Sequence, residues 1–431
     1  MLISIQRVFT CLLLSSCFAS TLAAQDTPTP VDPATVIRCH THHKHQEMRA
    51  SDPGLDARRA DINAQIDEWI ATHPSTSQDA VIIIPVVVHV LTGPGMPPIY
   101  YDQIRSQIDV LSQDFRRSNP DKVLTPNVFS SVAADTEIDF CLADTDPNGN
   151  YTSGVTYTTT SVDNIGNTSA YYLTASGGHD IWDPDSYLNI WVCQIGDGIL
   201  GFTFQPGVAP ANRDGMVIDY RYFGNIGTAT PPYNLGRTTT HELGHWFNLE
   251  HIWGDAFCGN DGVADTPEQE TFTSGCPSFP QFSCNNNADG GDMFMNYMDY
   301  SNDACMNLFT AGQKQRMLAT IDVQRPGLKS SNGCSLNSVP SWRGSDFSES
   351  LSVFPNPSTG EFTAYIEFNA PSTVDLRVYN QLGQVVERNQ FTQFYSGNLP
   401  IDLSQQPAGL YLVELTTPFG IATKKVQVLE H

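Results

Sequence analysis

The sequence predicts an α+β domain that is followed by a small, separate all-β sandwich. Two observations predict the first part: an apolar β-branched run, IIIPVVVHV, and an amphipathic helix shortly after it. A third observation predicts the second part. After about residue 325 the chain becomes rich in Ser, Gly and Asn, and residues 351–429 then alternate apolar and polar positions between turn residues. A chain of 431 residues has room for both domains.

Charge and composition limit the class of partner. The formal net charge is −24 and the sequence pI is about 4.6. Because nucleic-acid binding needs clustered Lys and Arg, this balance argues against a nucleic-acid partner. Only 16% of the residues are charged, whereas Gly, Pro, Ser, Thr and Asn are plentiful. This composition is typical of a loop-rich extracellular protein rather than a helical cytosolic one.

The first residues have the pattern of a secretory signal. The stretch MLISIQRVFTCLLLSSCFASTLAAQ carries one Arg, a short apolar run and small residues that end at Ala23-Ala24. We expect residues 1–24 to be this signal, since the run is too short to span a membrane. The alternative is a lipoprotein cleavage site in LSSC, which would leave Cys17 lipidated. No other stretch of the sequence is long and apolar enough to cross a bilayer.

Periodicity predicts the elements that follow, in chain order. A helix is predicted in LDARRADINAQIDEWI from the spacing of its apolar residues, which are Leu55, Ile62, Ile66 and Ile70. The run AVIIIPVVVHVLTG is predicted to be a buried strand ended by Gly. In DQIRSQIDVLSQDFRR, the apolar positions repeat at intervals of four, three and four, at Ile104, Ile108, Leu111 and Phe115. Further strands are predicted in EIDFCLA, YLNIWVCQI and GMVIDYRYF.

The segment TTTHELGHWFNLEHIWGD has the spacing of a helical zinc site, with Thr238–Thr240 as a candidate N-cap. Residues four apart lie on one face of a helix, so His241 and His245 can direct ring nitrogens at one ion. Glu242 lies one residue further round, where it can contact a water on that ion without binding the ion. His251 supplies the third ligand if the chain turns back after the helix.

That turn needs a residue that tolerates positive φ, for which Gly is usual. The sequence has Asn248, the next most tolerant residue. The alternative to a metal site is a solvated helix whose histidines are incidental. Three histidines at these spacings, with a glutamate in the correct position, favour the metal site.

A wider resemblance supports this interpretation. MNYMDYSND resembles the Met-turn of metzincin proteases, in which a methionine, here Met298, lies beneath the zinc and a tyrosine, here Tyr300, faces the substrate. A methionine in such a loop would otherwise be core packing. The chain resembles the pappalysin family of metzincins, particularly its bacterial cytophagalysin-like members, from about residue 36 to 325. The likeness is carried by IIIPVVVHVL, IRSQIDVLSQDFRR, VAADTEIDFCLA, HELGHWFNLEHIWGD and NYMDY.

The resemblance implies a metzincin catalytic domain at residues 81–325, with a mixed twisted sheet, an active-site helix and a loop-rich lower subdomain. It implies a secreted zinc endopeptidase acting on proteins or peptides, with Glu242 as general base and Tyr300 as a hydroxyl donor. The substrate would lie beside an edge strand, for which GMVIDYRYF is the candidate. The rival from another class is a surface adhesin or nutrient-binding protein with an inert or structural zinc. Glu242 argues against it, and a structural zinc normally has four protein ligands.

The segment CGNDGVADTPEQE is rich in the hard oxygen ligands that calcium prefers. Family members hold calcium here, and the matching positions are Asp261, Asp265, Thr266 and Glu270. The alternative is a plain Asx-turn loop without an ion.

Eight of the ten cysteines follow the signal, and in an exported chain we expect most of them to form disulfides. The resemblance implies two bridges, Cys258–Cys284 and Cys276–Cys305. Two more cysteines, Cys141 and Cys193, lie in predicted strands and are candidates to pair with each other. This leaves Cys39 and Cys334.

Residues 25–80 are predicted to be a pro-segment. Cys39, in IRCHTHH, offers a soft thiolate that suits zinc, and related proteases use such a cysteine switch at the fourth zinc position to stay latent. Two alternatives remain open at this point. One is a Cys39–Cys334 disulfide, and the other is a surface His-rich tract that merely picks up metal.

Residues 326–350 are predicted to be a linker, and residues 351–431 a separate module. Taken alone, the module could be a carbohydrate-binding or adhesive domain. Its segments VFPNPSTGEF, VYNQLGQVV and GLYLVELTTPFGIATKKVQV resemble the type A sorting domain of the type IX secretion system. The resemblance implies that the outer-membrane secretion machinery of a bacterium is a partner. The protein would then be released or left on the cell surface.

Overall fold

A computed structural model describes residues 36–73, 80–150, 152–334, 351–366, 372–394, 397–417 and 420–429. The predicted signal peptide and the alternative lipidation at Cys17 lie outside the described residues, as does most of the predicted linker. No helix among the described ranges combines the length and the apolarity that a bilayer crossing requires.

Two helices precede the central sheet, α1 at Thr41–Ser51 and α2 at Leu55–Thr72. The periodicity predicted for α2 is confirmed, because Leu55, Ile62 and Ile66 are buried and Ile70 is half-buried. Ile62 and Ile66 pack against Ala319 of a later helix, Ala311–Gln324, which is α5 below. The predicted pro-segment is therefore packed against the predicted catalytic domain through an apolar surface.

A central six-stranded sheet forms the upper part of the catalytic domain. Its strands are β1 Ile82–Thr92, β2 Ile138–Leu142, β3 Val155–Thr159, β4 Leu188–Cys193, β5 Gly201–Thr203 and β6 Met216–Asp219. The order is β2-β1-β4-β6-β5, and β3 pairs with the other end of β1. All pairs are parallel except β5 with β6, which is antiparallel. The prediction of a mixed sheet is confirmed.

The edge strand was predicted wrongly. The strand within GMVIDYRYF is β6, which pairs with β4 on one side and β5 on the other. The edge is β5, which contains only three residues and begins with Gly201. A strand this short shows no alternation that periodicity could detect, and Gly is disfavoured in strands, so the sequence gives no sign of it.

Two helices pack on the sheet, α3 at Tyr101–Phe115 and α4 at Arg237–Trp246. The predicted apolar face of α3 is confirmed, and its last residue, Phe115, lies against Phe140 of β2 with ring centroids 5.0 Å apart. All ten residues of α4 are buried. Because the whole helix is buried, neighbouring residues restrict the conformations of the side chains that project from it.

The predicted N-cap of α4 is wrong. The helix starts after Gly236, whose φ is 79°, and Thr238–Thr240 lie within its first turns. Their hydroxyls bond elsewhere: Thr239 donates to Gln107 Oε1 at 2.8 Å and Thr240 to Asp114 Oδ2 at 2.8 Å. Both acceptors lie on α3, so long-range partners replaced the local cap.

The segment between α4 and α5 is loop-rich, as predicted, and among the described residues it contains two short 3-10 turns, at Asn286–Asp289 and Asp303–Cys305. Two disulfides link its loops, Cys258–Cys284 and Cys276–Cys305. Since this region has little secondary structure, these cross-links limit how far its loops can open.

The expected pairing of Cys141 with Cys193 is wrong, and so is the alternative of Cys39 with Cys334. Cys141 pairs with Cys334, whereas Cys39 and Cys193 are buried and free. The reason is that β1 lies between β2 and β4. Cysteines two strand spacings apart are separated by about 9–10 Å, beyond the roughly 7 Å limit for a disulfide. The Cys141–Cys334 bridge also carries the catalytic fold past residue 326, where the linker was predicted to begin.

The C-terminal module contains two antiparallel sheets. One has the order β10-β9-β12-β13 and the other β11-β8-β7. Residues from both sheets form one apolar core, for example Leu376, Val413 and Phe362. This arrangement confirms the predicted small sandwich. Its strands are β7 Leu351–Phe354, β8 Glu361–Ile366, β9 Ser372–Tyr379, β10 Val385–Phe394, β11 Gly397–Asp402, β12 Gly409–Thr417 and β13 Gly420–Val428.

Candidate metal centre

Helix α4 and the turn after it bring three imidazoles together. The Nε2 atom of His245 lies 3.2 Å from Nε2 of His241 and 3.1 Å from Nε2 of His251. Two nitrogen ligands of one tetrahedral zinc ion, at about 2.0–2.1 Å from the metal, would be about 3.3 Å apart. The three nitrogens therefore fit one zinc ion.

Asn248 makes the turn that brings the third histidine back. Its φ is 67°, in the left-handed region where Asn is the most tolerant residue after Gly. The backbone N–H of Asn248 donates to His245 O at 2.8 Å, and that of Leu249 donates to Gly244 O at 2.9 Å, which ends the helix. Asn at this position thus has the conformation for which Gly is usually needed.

Met298 lies directly against α4. A Cβ added to Gly244 would be 2.3 Å from the Met298 sulfur, so a larger residue there would require Met298 to move. Met298 is fully buried, as is Tyr297 before it. The segment predicted to be a Met-turn therefore packs against the helix residue next to His245.

Each imidazole is held through its other ring nitrogen. The Nδ1 acceptors are Tyr297 O for His241 at 2.7 Å, Leu249 O for His245 at 2.8 Å and Asp255 Oδ1 for His251 at 2.6 Å. Because these oxygens only accept, each Nδ1 carries the proton and each Nε2 keeps its lone pair. Burial lowers the pKa of all three imidazoles, which favours the neutral form that binds metal.

Glu242 is fully buried beside β5, and a Cβ at Gly201 would be 3.3 Å from its Cγ. Burial raises the pKa of the Glu242 carboxyl to about 7, against the opposing effect of hydrogen bonds from Thr41 and Cys39. The Thr41 hydroxyl donates to Glu242 Oε2 at 2.8 Å. Oε1 has no oxygen or nitrogen partner among the described residues. A carboxyl poised near neutrality in a buried site is suited to exchange protons.

Tyr300 completes an aromatic wall around the centre. Its ring centroid lies 4.9 Å from that of His251 and 5.7 Å from that of His241. Trp253 stacks on His251, with centroids 4.3 Å apart and planes 7° from parallel. Burial raises the pKa of Tyr300 well above its usual value, so its hydroxyl stays protonated and can donate.

Residues 37–40, in the predicted pro-segment, cross this centre alongside the start of β5. Ile37 pairs in parallel with Ile199, with N–H···O distances of 2.8 Å to Gly198 and 3.0 Å from Leu200. The His40 N–H then donates to Gly201 O at 3.0 Å. The pairing buries Cys39, whose Sγ and the ligand atoms of the three histidines all lie within 4.8 Å of one another.

A charged pocket next to the centre was not foreseen from the sequence. Arg38 is only 5% exposed, and its Nη2 donates to the buried Asp303 Oδ1 at 2.9 Å. Its Nη1 donates to the Thr238 hydroxyl at 2.8 Å, and its guanidinium lies 4.5 Å from the centre of the Tyr233 ring. A single sequence gives no signal for this pair, since 265 residues separate its members.

Of the four residues predicted to bind calcium, Asp261 and Thr266 are in direct contact. The Thr266 hydroxyl contacts both carboxylate oxygens of Asp261 at 2.9 Å. Asp265 instead accepts from the Thr310 hydroxyl and from Gly312 N–H at the start of α5, and Glu270 is exposed. Burial raises the pKa of Asp261 to about 7.

Sequence comparison identifies the family. Residues 176–322 match the peptidase family profile described as pregnancy-associated plasma protein-A. An extracellular metalloprotease of Arthroderma benhamiae is 33% identical over 265 residues, which cover 58% of this chain and 76% of the relative. The chain belongs to the pappalysin family of metalloproteases. The predicted family and enzyme class are confirmed, and the family implies zinc as the metal.

Two solved structures from Tannerella forsythia are similar to this pappalysin. A promirolysin variant is 43% identical and covers 68% of this chain and 95% of that chain, with a TM-score of 0.61. Mature mirolysin in complex with a cleaved peptide is 47% identical and covers 58% of this chain and 95% of that chain, with a TM-score of 0.55. The predicted fold of the catalytic domain is thereby confirmed.

Not every relative is matched over its full length. An extracellular metalloprotease of Uncinocarpus reesii is 42% identical over 137 residues, and the chain spans about half of it, 46% of its length. Residues 352–429 of this pappalysin match a secretion-system C-terminal sorting domain, which confirms the resemblance of the C-terminal module. Nothing in these comparisons supports the adhesin alternative.

Proposed function

We propose that this chain is a secreted zinc endopeptidase that is latent as synthesised and that hydrolyses peptide bonds before arginine or lysine. The observation that carries the proposal is the convergence of His241, His245 and His251 on one point beside the buried Glu242. The donor set fits zinc because three neutral imidazoles leave a position for water or substrate.

In this mechanism zinc, when bound, supplies Lewis acidity that lowers the pKa of water and polarises the scissile carbonyl. Glu242 acts as general base through its carboxylate, and then carries the proton to the departing amine. The Tyr300 hydroxyl donates a hydrogen bond to the oxygen on which negative charge develops. The wall formed by Tyr300 and Trp253 excludes water from one side of His251.

Two contacts support a latent state. The Cys39 Sγ and the ligand nitrogens of the three histidines lie within 4.8 Å of one another, close enough for the thiol to supply a fourth ligand, and the Thr41 hydroxyl is bonded to Glu242. Burial and the charge of Glu242 raise the pKa of the Cys39 thiol, so a metal ion nearby is needed to hold it as a thiolate. The pro-segment would thus block the metal and the general base together.

The Arg38 pocket supports the preference for basic residues. Once residues 37–41 have left the edge of β5, a substrate could add to it by backbone hydrogen bonds, and antiparallel pairing is the more stable arrangement. The pro-segment pairs in parallel and places Arg38 in the pocket, one residue before Cys39 at the centre. An antiparallel substrate would run past the centre in the opposite direction. The residue just after its scissile bond would therefore enter the same pocket. Asp303 would then select arginine or lysine at that position.

Calcium binding at Asp261 and Thr266 remains part of the proposal. Burial of the Asp261 carboxyl disfavours its charge, and a divalent cation would compensate for that cost. Because Asp265 bonds to Thr310 and Gly312 and Glu270 is exposed, we expect backbone carbonyls or water to complete the ligand set.

Export would use both ends of the chain. We infer that residues 1–24 act as a signal for the inner membrane, with lipidation at Cys17 as the rival. The sorting module at residues 351–431 would then be recognised by the type IX machinery at the outer membrane, and support for this comes from its match to sorting domains.

Replacing Glu242 by Gln should leave zinc bound and reduce kcat by about 10²–10⁴, because the general base is lost while the ligands remain. Metal analysis of the purified variant and peptide turnover should be measured together, with the wild-type protein as control. Turnover close to the wild-type rate would contradict the assigned role.

Replacing Cys39 by Ser should give a precursor that becomes active sooner, because serine is a poor zinc ligand and releases the fourth position. The time course of activity after purification tests this. Cys193→Ser is the matched control, since Cys193 is also buried and free but lies in β4. Equal activation times for the two variants would argue against the switch.

Replacing Asp303 by Asn should lower the ratio of kcat/KM for an arginine peptide to that for a leucine peptide by about 10–100-fold. This is the value of roughly 1.5–3 kcal/mol for a hydrogen bond to a charged group. Glu250→Gln serves as the control, because Glu250 contacts Arg59 rather than Arg38. An unchanged ratio would exclude Asp303 as the selecting residue.

Calcium should raise the melting temperature, and Asp261→Asn should abolish the rise. A carboxyl whose pKa is raised from 3.8 to about 7 contributes stability below pH 3.8 that is lost as the pH rises through 7. The rise in melting temperature caused by calcium should therefore become larger as the pH increases from 3.8 to about 7. The measurement is a thermal melt with calcium or with a calcium-selective chelator, in excess zinc. A melting temperature that ignores calcium at every pH would remove this site.

Deleting residues 351–431 should retain the protein in the periplasm, because the outer-membrane machinery would have no sorting domain to recognise. Cell fractionation of the producing bacterium, with the full chain as control, measures the distribution. Unimpaired export of the shortened chain would instead favour a binding role for the module.

A further inference from the structure

The pro-segment consists of two parts that contact different regions. In the first part, Ile37 pairs with Ile199 just before β5 and the His40 N–H donates to Gly201 O of β5, which brings Arg38, Cys39 and Thr41 to the centre and its pocket. Helix α2 packs instead on α5 and on the turn that follows α4. The first part blocks the centre. Among the hydrogen bonds of the described residues, none joins the second part to a metal-binding histidine or to Glu242.

Helix α2 holds the turn that positions the third histidine. Arg59 Nη1 donates to Asn248 Oδ1 at 2.5 Å, and Asn248 Nδ2 donates to Asn63 Oδ1 at 2.9 Å. Arg316 of α5 joins the same network, since its Nε donates to Asn248 O at 2.9 Å and its Nη2 to Asn63 Oδ1 at 2.7 Å. Removing α2 would leave both polar atoms of the buried Asn248 side chain without these partners, which carries a desolvation cost.

Apolar contacts also join α2 to the catalytic domain. Ile66 is fully buried and Ile62 nearly so, both against Ala319, and Trp69 Nε1 donates to Asp322 at 3.2 Å. Because α2 buries apolar surface of α5, its loss would expose that surface to water. These contacts are those of a structural element of the catalytic domain, not of a segment that only covers a site.

The distribution of basic residues limits where this enzyme can cut itself. With the specificity proposed above, each cut precedes Arg or Lys, and residues 60–104 contain neither. No self-cleavage can then occur within α2 after Arg59, or between α2 and β1. The mature mirolysin structure covers a smaller share of this chain than the precursor form does. A mature end near residue 80 in this chain would therefore need a second protease.

Among the basic residues of the pro-segment, Arg58 is the best placed. Arg38 and Arg59 are buried and bonded, and Lys44 lies within α1. The carbonyl before Arg49 accepts from Asp52 N and from the Ser51 hydroxyl. Arg58 and the two residues before it are exposed in the first turn of α2, which lacks a side-chain cap and is therefore prone to fray. The Arg58 guanidinium donates to Asp52 Oδ2 at 2.7 Å and to Gly207 O at 3.2 Å, and these exposed contacts must open before Arg58 can enter the Asp303 pocket.

We propose that active molecules cut the Ala57–Arg58 bond of other precursors, and that α2 remains in the active enzyme. Water supplies a hydroxyl to the Ala57 carbonyl carbon and a proton to the Arg58 nitrogen, so the bond is replaced by a carboxylate and an amine. The released piece carries Arg38, Cys39 and Thr41. Residues 58–73 stay covalently attached and keep the contacts to Asn248. This inference rests on the proposed selection of basic residues by Asp303.

The test uses the full-length precursor with Glu242→Gln, which cannot cut itself, as substrate for a trace of active wild-type enzyme. N-terminal sequencing and intact mass should give a mature chain that begins at Arg58. Adding Arg58→Gln to the substrate should slow its processing at least about tenfold, in line with the loss of a charged hydrogen bond. The control Arg49→Gln, at a second exposed arginine, should leave the rate unchanged.

A mature N-terminus beyond residue 60, or one at Arg49, would overturn the assignment, as would equal rates for the two substrate variants. Peptides with arginine or leucine after the scissile bond are assayed in parallel. If they show the arginine preference while the precursor is cut elsewhere, only this inference fails. If they show no preference, the proposed specificity fails and this inference fails with it.

Discussion

The arrangement of the metal centre depends on one constraint: three imidazole nitrogens must come close enough to bind one metal ion, although the helix that carries two of them ends before the third. Their lone pairs converge in a buried space, which is unfavourable unless a cation lies between them. Each ring is therefore fixed from behind by an acceptor that belongs to a different segment. The Met-turn backbone fixes His241, the turn after α4 fixes His245, and Asp255 fixes His251. Loops without regular structure can supply these acceptors because disulfides tie them together.

A buried polar network connects that centre to the main core. Asp114 of α3 accepts two hydrogen bonds from Arg237 at 3.0 Å and one from the Tyr297 hydroxyl at 2.9 Å. The backbone oxygen of Tyr297 in turn accepts from His241. Helix α3, the start of α4 and the Met-turn are thus joined through one carboxylate. Since each member is satisfied, the network fixes their relative positions rather than merely filling space.

The predicted pro-segment lies on the surface along which the proposed substrate would bind. Backbone pairing with β5 brings a thiol to the metal centre, a guanidinium to Asp303 and a hydroxyl to Glu242 within four consecutive residues. Because one short segment, residues 38–41, makes all three contacts, releasing it would free the metal site, the pocket and the general base at once. Helix α2 is different in kind: its contacts are apolar burial and support of the Asn248 turn, and none of them occupies the substrate's path along β5.

The sequence by itself determined those features that repeat over a short range. The spacing of His241 and His245, the position of Glu242, the apolar face of α3 and the alternation in the C-terminal sandwich all follow from helix or strand periodicity, and the family followed from the same segments. Tertiary structure alone decided that β5 is the edge strand and that Cys141 pairs with Cys334. It also decided that the threonines of α4 bond to α3 rather than cap their helix, and that Arg38 contacts Asp303. Each of these depends on residues brought together from distant parts of the chain, and a local pattern carries no information about which distant surface it will face.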